Sequence, residues 1–220
     1  VLPGFLLSIS TDNGLGLIPL LPLTAGNAID TGVITPAAVY TDNEIVDDSD
    51  RIAWVKPADR KYFRALVSWR EQSATLPPVV RTTEVGFVDR ATSGPFEKYD
   101  LSAYCTSEAH AIRFGRYVLA QRLYCGHTRE LDLLPTVTPP AVGSIVRVIT
   151  SRLPIGSDEV TTNYRYRVQE VRLTAAGGTS LSLVHFPVDA DGRSQVAADV
   201  VNVAEIEAQV PEGWASLPID

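Results

Sequence analysis

The side chains able to do chemistry are few and sit close to one segment. Cys125 and His127 flank Gly126, and a thiol beside an imidazole could form a nucleophile and its base. Neighbouring positions in a chain rarely give that pair its geometry, and no surrounding signature of a thiol enzyme is present. Cys-x-His is also too small a ligand set for zinc, so the better reading is a thiol at a helix end beside an exposed His127. His110, in the first turn of the same segment, faces solvent or a neighbouring chain, and His185 is the third histidine. The acidic stretch "TDNEIVDDSD" holds five carboxylates in ten residues. It lacks the spaced ligands and distal Glu of a calcium loop, and reads as a solvated loop. "TDNG" (Thr11 to Gly14) and "DADG" (Asp189 to Gly192) are turn sequences. "LGL" and "AAGGTS" lack the Lys of a phosphate loop, and no Gly-x-Ser-x-Gly elbow occurs. From the residues alone no enzyme case stands, and none implies a metal or cofactor.

The element that would position these groups is "TSEAHAIRFGRYVLAQRLY", Thr106 to Tyr124, which reads as a helix. Thr106 or Ser107 can cap it, and Glu108 complements its dipole. Ala111, Ile112, Gly115, Val118, Leu119 and Leu123 form an apolar stripe. Gly115 inside that stripe costs about 1 kcal/mol against Ala, which close approach of another backbone would offset. Arg113 and Arg116 lie off the stripe, where they could pair with carboxylates of the same or a neighbouring subunit. Gly126 stands where a left-handed C-terminal cap is expected. Ile112, Arg113, Gly115, Arg116 and Leu119 are therefore candidate packing or interface residues. A helix of this length holds Cys105 and Cys125 roughly 30 Å apart, too far for a disulfide between them.

The rest of the pattern is β. "YFRALVSWRE" places Phe63, Ala65, Val67 and Trp69 on one face, and "RIAWV" and "TTEVGFVDR" read as further strands. "ATSGPFEKYD" reads as a loop entering the helix. "NYRYRVQEVRLTAAGGTSLSLVHFPV" reads as a hairpin turning at Gly177-Gly178, and its apolar parity switches between Val168 and Val171, which signals a bulge. The expected fold is α+β, mostly β. A mixed first module (1–104) is followed by one central helix with a small antiparallel barrel (105–204) and an extended exit segment (205–220).

The chain has 220 residues, enough for one large domain or two small ones, and a net charge of -7. That balance argues against a dedicated nucleic-acid binder. Arg outnumbers Lys 16 to 3, which suits planar pairing at interfaces but also follows from base composition. "GLGLIPLLPL" and "GFLLSIS" are too short to span a membrane, and no basic region suggests a signal peptide. Two separated thiols suit a reducing compartment. The chain starts at Val1 and contains no Met, so it reads as a processed product or an excerpt of a longer polypeptide.

The order of these elements resembles the central region of the tail-tip attachment proteins of lambda-like phages. It is similar as well to the related baseplate hubs of tailed phages and gene-transfer particles. The helix carries the likeness at Thr106, Ala109 or Ala111, Arg113, Gly115, Arg116, Leu119 and Tyr124. "PPAVGSIVRV" keeps Pro140, Gly143, Ile145 and Val148 of the barrel-opening turn, with Ser144 in place of the usual Asp. Ala65-Leu66 replaces an Asn-Val pair in the early strand, and the likeness covers roughly residues 50 to 190. It implies a non-enzymatic virion component at the tail tip, made in the host cytoplasm. Such hubs are homotrimers that close the tail tube and contact the distal tail, tape-measure and other tail-tip proteins, with no specific nucleic-acid binding. The competing reading is a carbohydrate- or receptor-binding β module, which an exposed Trp/Tyr cluster beside a groove would favour.

Overall fold

The structure is a computed structural model. It describes residues 6–10, 16–56, 59–60, 63–72, 77–86, 95–150, 164–175 and 177–201. The turn at Thr11 to Gly14 and the exit segment 205–220 lie outside the described residues. Among the described residues eleven strands and two helices run in chain order. They are β1 (Leu7–Ser10), β2 (Gly16–Pro19), β3 (Ala38–Thr41), β4 (Arg51–Trp54), β5 (Arg64–Glu71), β6 (Val79–Val85), β7 (Phe96–Asp100), α1 (Glu108–Tyr124), β8 (His127–Leu133), β9 (Ile145–Ile149), β10 (Arg165–Leu173), β11 (Thr179–Phe186) and α2 (Gln195–Val201). The fold is α+β and mostly β, in mixed sheets.

Six strands form the main sheet, in the order β3-β9-β10-β11-β8-β4. β3 and β9 run parallel and the other pairs antiparallel. The strands of 105–204, β8 to β11, pair antiparallel as expected, and β3 from the first module joins their edge in parallel. Period-two alternation sends Leu131 and Leu133, Val146 and Val148, Tyr166 and Val168, Leu181 and Leu183 to one face, where they form a core with Tyr40 and Ile45. Arg129 on β8 reaches Thr150, just past β9, with two strands between them in the sheet. The sheet therefore curls around its own core. In the β10–β11 hairpin the register shifts between Val168 and Glu170, which is the bulge that the parity switch signals. The turn uses Gly177 at φ +81.

A second, three-stranded sheet has the order β6-β5-β7, with β5 and β7 parallel. Phe63, Ala65, Val67 and Trp69 are buried on one face of β5. They join Val85, Leu101, Cys105 and the α1 residues Ala111, Ile112, Phe114 and Leu119 in one cluster. "FEKYD", read from sequence as loop, is the edge strand β7. Its residues alternate half-buried and exposed, a pattern too polar to stand out by periodicity. The boundary at residue 104 does not divide the sheets. β3 and β4 belong with β8–β11, whereas α1 shares a core with β5 and β6. A third cluster joins Leu20 and Leu21 to Tyr117 and Ala120 of α1 and to Val196, Ala197 and Val200 of α2.

Candidate functional site

α1 is buried on most of its circumference, and each candidate on it has a definite environment. Ala111, Ile112, Gly115 and Leu119 face the three-stranded sheet. A Cβ on Gly115 would lie 2.8 Å from Cγ2 and 2.9 Å from Cβ of Val85. The close neighbour is therefore a β-branched side chain of β6 and not a backbone. Arg113 is exposed. Arg116, expected on the outer side, is 0% exposed and donates to the backbone carbonyl of Asp199 at 3.1 Å. α2, which the sequence reading did not contain, covers that side of α1. Ser194 caps α2, its Oγ accepting from the N–H of Ala197 at 3.1 Å. A serine at that spacing was the available signal.

Both ends of α1 depart from the expected caps. Ser107 occupies the N-cap without a side-chain bond. Glu108 instead accepts from the Thr83 hydroxyl at 3.0 Å, and that hydroxyl accepts from Trp69 Nε1 at 2.9 Å, which ties the first turn to the sheet. At the C-terminal end Cys125 is extended and leads straight into β8, so Gly126 adopts no left-handed turn. Arg60 replaces that cap. Its Nη2 donates to the Leu123 carbonyl at 2.9 Å and its guanidinium packs on Gly126. Arg122 makes a two-pronged pair with Glu97 and stacks over Phe63 at 4.0 Å. That pair holds the Glu97 carboxyl below its usual range.

Where α1 meets the curled sheet, polar side chains replace apolar ones inside it. Arg129, 1% exposed, binds both oxygens of Asp50 at 2.8 and 2.6 Å. It also contacts the hydroxyls of Thr150 and Tyr166. Tyr166 Oη lies 3.0 Å from His127 Nε2. The His127 and His185 rings stack at 4.5 Å, with Trp54 and Tyr164 against them. His185 Nδ1 donates to the Tyr124 carbonyl at 3.2 Å, linking the last turn of α1 to β11. His127 is thus buried and not exposed as the sequence reading had it. Burial, with His185, Arg129 and Arg60 beside it, pushes His127 down to about 3. Burial and Arg60 take His185 to about 4, against the bond to Tyr124. Both imidazoles are therefore neutral at pH 7, and the network holds one charged pair, Arg129 with Asp50.

Cys105 and Cys125 are both free thiols. Burial raises Cys125 to about 11, which keeps it protonated and a poor nucleophile beside the neutral His127. Among the described residues no three His, Cys, Asp or Glu side chains group as metal ligands. The arrangement suits a rigid joint between α1 and the curled sheet more than a reacting centre.

No family model matches the chain, and no curated protein matches it. Solved structures do. A chain of the virion of a native gene transfer agent particle aligns with a TM-score of 0.52 at 20% identity, covering 77% of this chain and 36% of its own. A tail protein from Neisseria meningitidis MC58 aligns with a TM-score of 0.45 at 14% identity, over 83% of this chain and 51% of its own. The 43 kDa tail protein of prophage MuSo2 from Shewanella oneidensis gives 0.44 at 15%, over 87% and 51%. The chain thus spans about a third to a half of the length of these structures, and the virion chain shares its fold.

Proposed function

We propose that the chain is a structural component of a phage or phage-like tail, at the tail tip or baseplate hub, and that it acts as a homotrimer. The observation that carries this reading is the shared fold with a virion chain over 77% of the residues, at a TM-score of 0.52. The order of elements and the helix motif point the same way. A part of this kind works by holding shape. The buried Arg129–Asp50 pair and the packing of α1 on both sides supply rigidity at a joint. Its neighbours would be the distal tail, tape-measure and other tail-tip proteins, and its place the distal end of the particle.

The groove between the two sheets bears on the carbohydrate reading. Its cavity of about 510 Å³ is lined by Tyr99, Tyr104, Phe114 and Tyr117. Phe114 is 3% and Tyr117 6% exposed, and of these four only Tyr104 is an exposed large ring. Phe114 and Tyr117, so deeply packed, offer little stacking surface to a sugar, and the tail reading is preferred.

Antibody labelling of intact particles tests the placement. Gold at the distal end of the tail is the expected result, and label confined to the capsid would remove the proposal. Native mass measurement tests the stoichiometry, with three copies of the 23.8 kDa chain expected.

A further inference from the structure

Two arginines face one another on the side of the six-stranded sheet opposite its core. Arg147 of β9 and Arg165 of β10 are direct cross-strand partners. Their side chains leave the same face with Cβ atoms about 5 Å apart, an arrangement in which like charges repel. Arg165 is only 9% exposed. Its Nη1 donates to the backbone carbonyls of Ile34 and Gly192, the latter at 3.0 Å. Its guanidinium lies against Gly192, where a Cβ would come within 2.9 Å of Nη2.

Those carbonyls accept hydrogen bonds but bring no neutralising charge. The Nε atoms of both Arg147 and Arg165 are buried without an acceptor. Among the described residues no carboxylate pairs with either guanidinium. Asp189, close in sequence to Gly192, commits its Oδ1 to the N–H groups of Asp191 and Arg193. Burial, and then the charge of Arg147, hold Arg165 below the usual arginine range. A buried cation such as Arg165 without a counter-charge is strongly disfavoured, and the half-buried Arg147 beside it adds a like charge. The exposed side chains of Val39, the cross-strand partner of Arg147 on β3, and of Ile149 lie on this same face.

We propose that the Arg147–Arg165 pair is a binding site for an oxyanion, a group whose oxygens accept from both guanidinium groups and neutralise them. Two sources share that chemistry. One is a free ion such as phosphate, and the other, which rests on the trimer proposed above, is a carboxylate side chain of a neighbouring copy of this chain. Arginine suits either, because its planar fork pairs with two oxygens at once.

The test uses the 220-residue chain, the variants Arg147→Gln and Arg147→Glu, and sodium phosphate against sodium chloride at matched ionic strength. Arg147→Glu places a carboxylate directly opposite Arg165. It should melt above the parent in chloride and ignore phosphate. For a free ion, phosphate raises the parent's melting temperature saturably, and Arg147→Gln loses that response. For a neighbour's carboxylate, the parent ignores phosphate, and its native mass falls to that of one chain in Arg147→Gln. An equal phosphate response in parent and Arg147→Gln overturns the proposal. So does an Arg147→Glu variant that melts below the parent in chloride, or a parent that ignores phosphate while Arg147→Gln keeps its mass.

Discussion

Gly115 has no room for a side chain, because Val85 already occupies it. Gly115→Leu should overpack the joint between α1 and β6 and cost about 1–3 kcal/mol or more. The double variant Gly115→Leu/Val85→Ala should recover part of that loss, with a coupling of about 0.5–3 kcal/mol in a denaturation cycle. Independent, additive effects would show that the two do not touch. The ion pair inside the curled sheet behaves differently. Asp50→Ala strands Arg129 as a buried charge and should cost about 3–5 kcal/mol, whereas Asp50→Ala/Arg129→Met should be less damaging. Urea midpoints compare the two. His127 and His185 titrate in the folded chain near 3 and 4, below the ordinary value of 6.5. Between those values the unfolded chain holds more protons, so stability is complete above pH 6.5 and falls as the pH drops. At pH 5 each imidazole should have withdrawn roughly 2 kcal/mol. Melting from pH 7.5 to 4.5 reads this, and His185→Gln should flatten the slope. An unchanged slope would place the acid sensitivity elsewhere.

At the scale of elements, α1 was legible because seventeen residues repeat at helical spacing under an acidic first turn. β5 was legible because Phe63, Ala65, Val67 and Trp69 alternate with polar residues, Leu66 excepted. α2 was not, since seven residues make only two turns and most of its apolar content reads equally as strand. Missing α2 also misplaced Arg116, which spacing alone puts outside the stripe and only a second helix can bury. Arg116→Ala should therefore lower folding stability, by roughly 1.5–3 kcal/mol for a lost charged hydrogen bond, and leave native mass unchanged. A drop in mass with the melting temperature intact would return Arg116 to an interface. β7 and the parallel pairing of β3 with β9 were illegible for another reason. Edge strands carry weak alternation, and strand direction is decided by partners distant in sequence. The stacked histidines share that cause, being 58 residues apart on neighbouring strands.

On the scale of the molecule, the trimer proposed above makes a prediction of its own. Arg113, exposed on α1, is available to a neighbouring copy. Arg113→Glu should leave the melting of the separated chain within about 0.5 kcal/mol of the parent, as ordinary surface changes do. If this face of α1 meets another copy, the same change should reduce the trimer fraction seen by native mass measurement. Full trimer with Arg113→Glu would put the contact on another surface. The pairing of β4 with β8 has a separate consequence. Trp54 and His127 are direct partners at the ends of those strands, so the chain departs from the six-stranded sheet and returns to it at adjacent points. All buried members of that sheet's core lie outside residues 55–126, and all buried members of the α1–β5–β6 core lie within them. The segment is thus an excursion spliced into a hairpin. Excising it and joining Trp54 to His127 with a two-residue Asn-Gly loop should leave the six-stranded core intact while uncovering Leu20, Leu21 and α2, which pack on Tyr117 and Ala120. A different segment joined at Trp54 and His127 would leave the pairing of β4 with β8 in place.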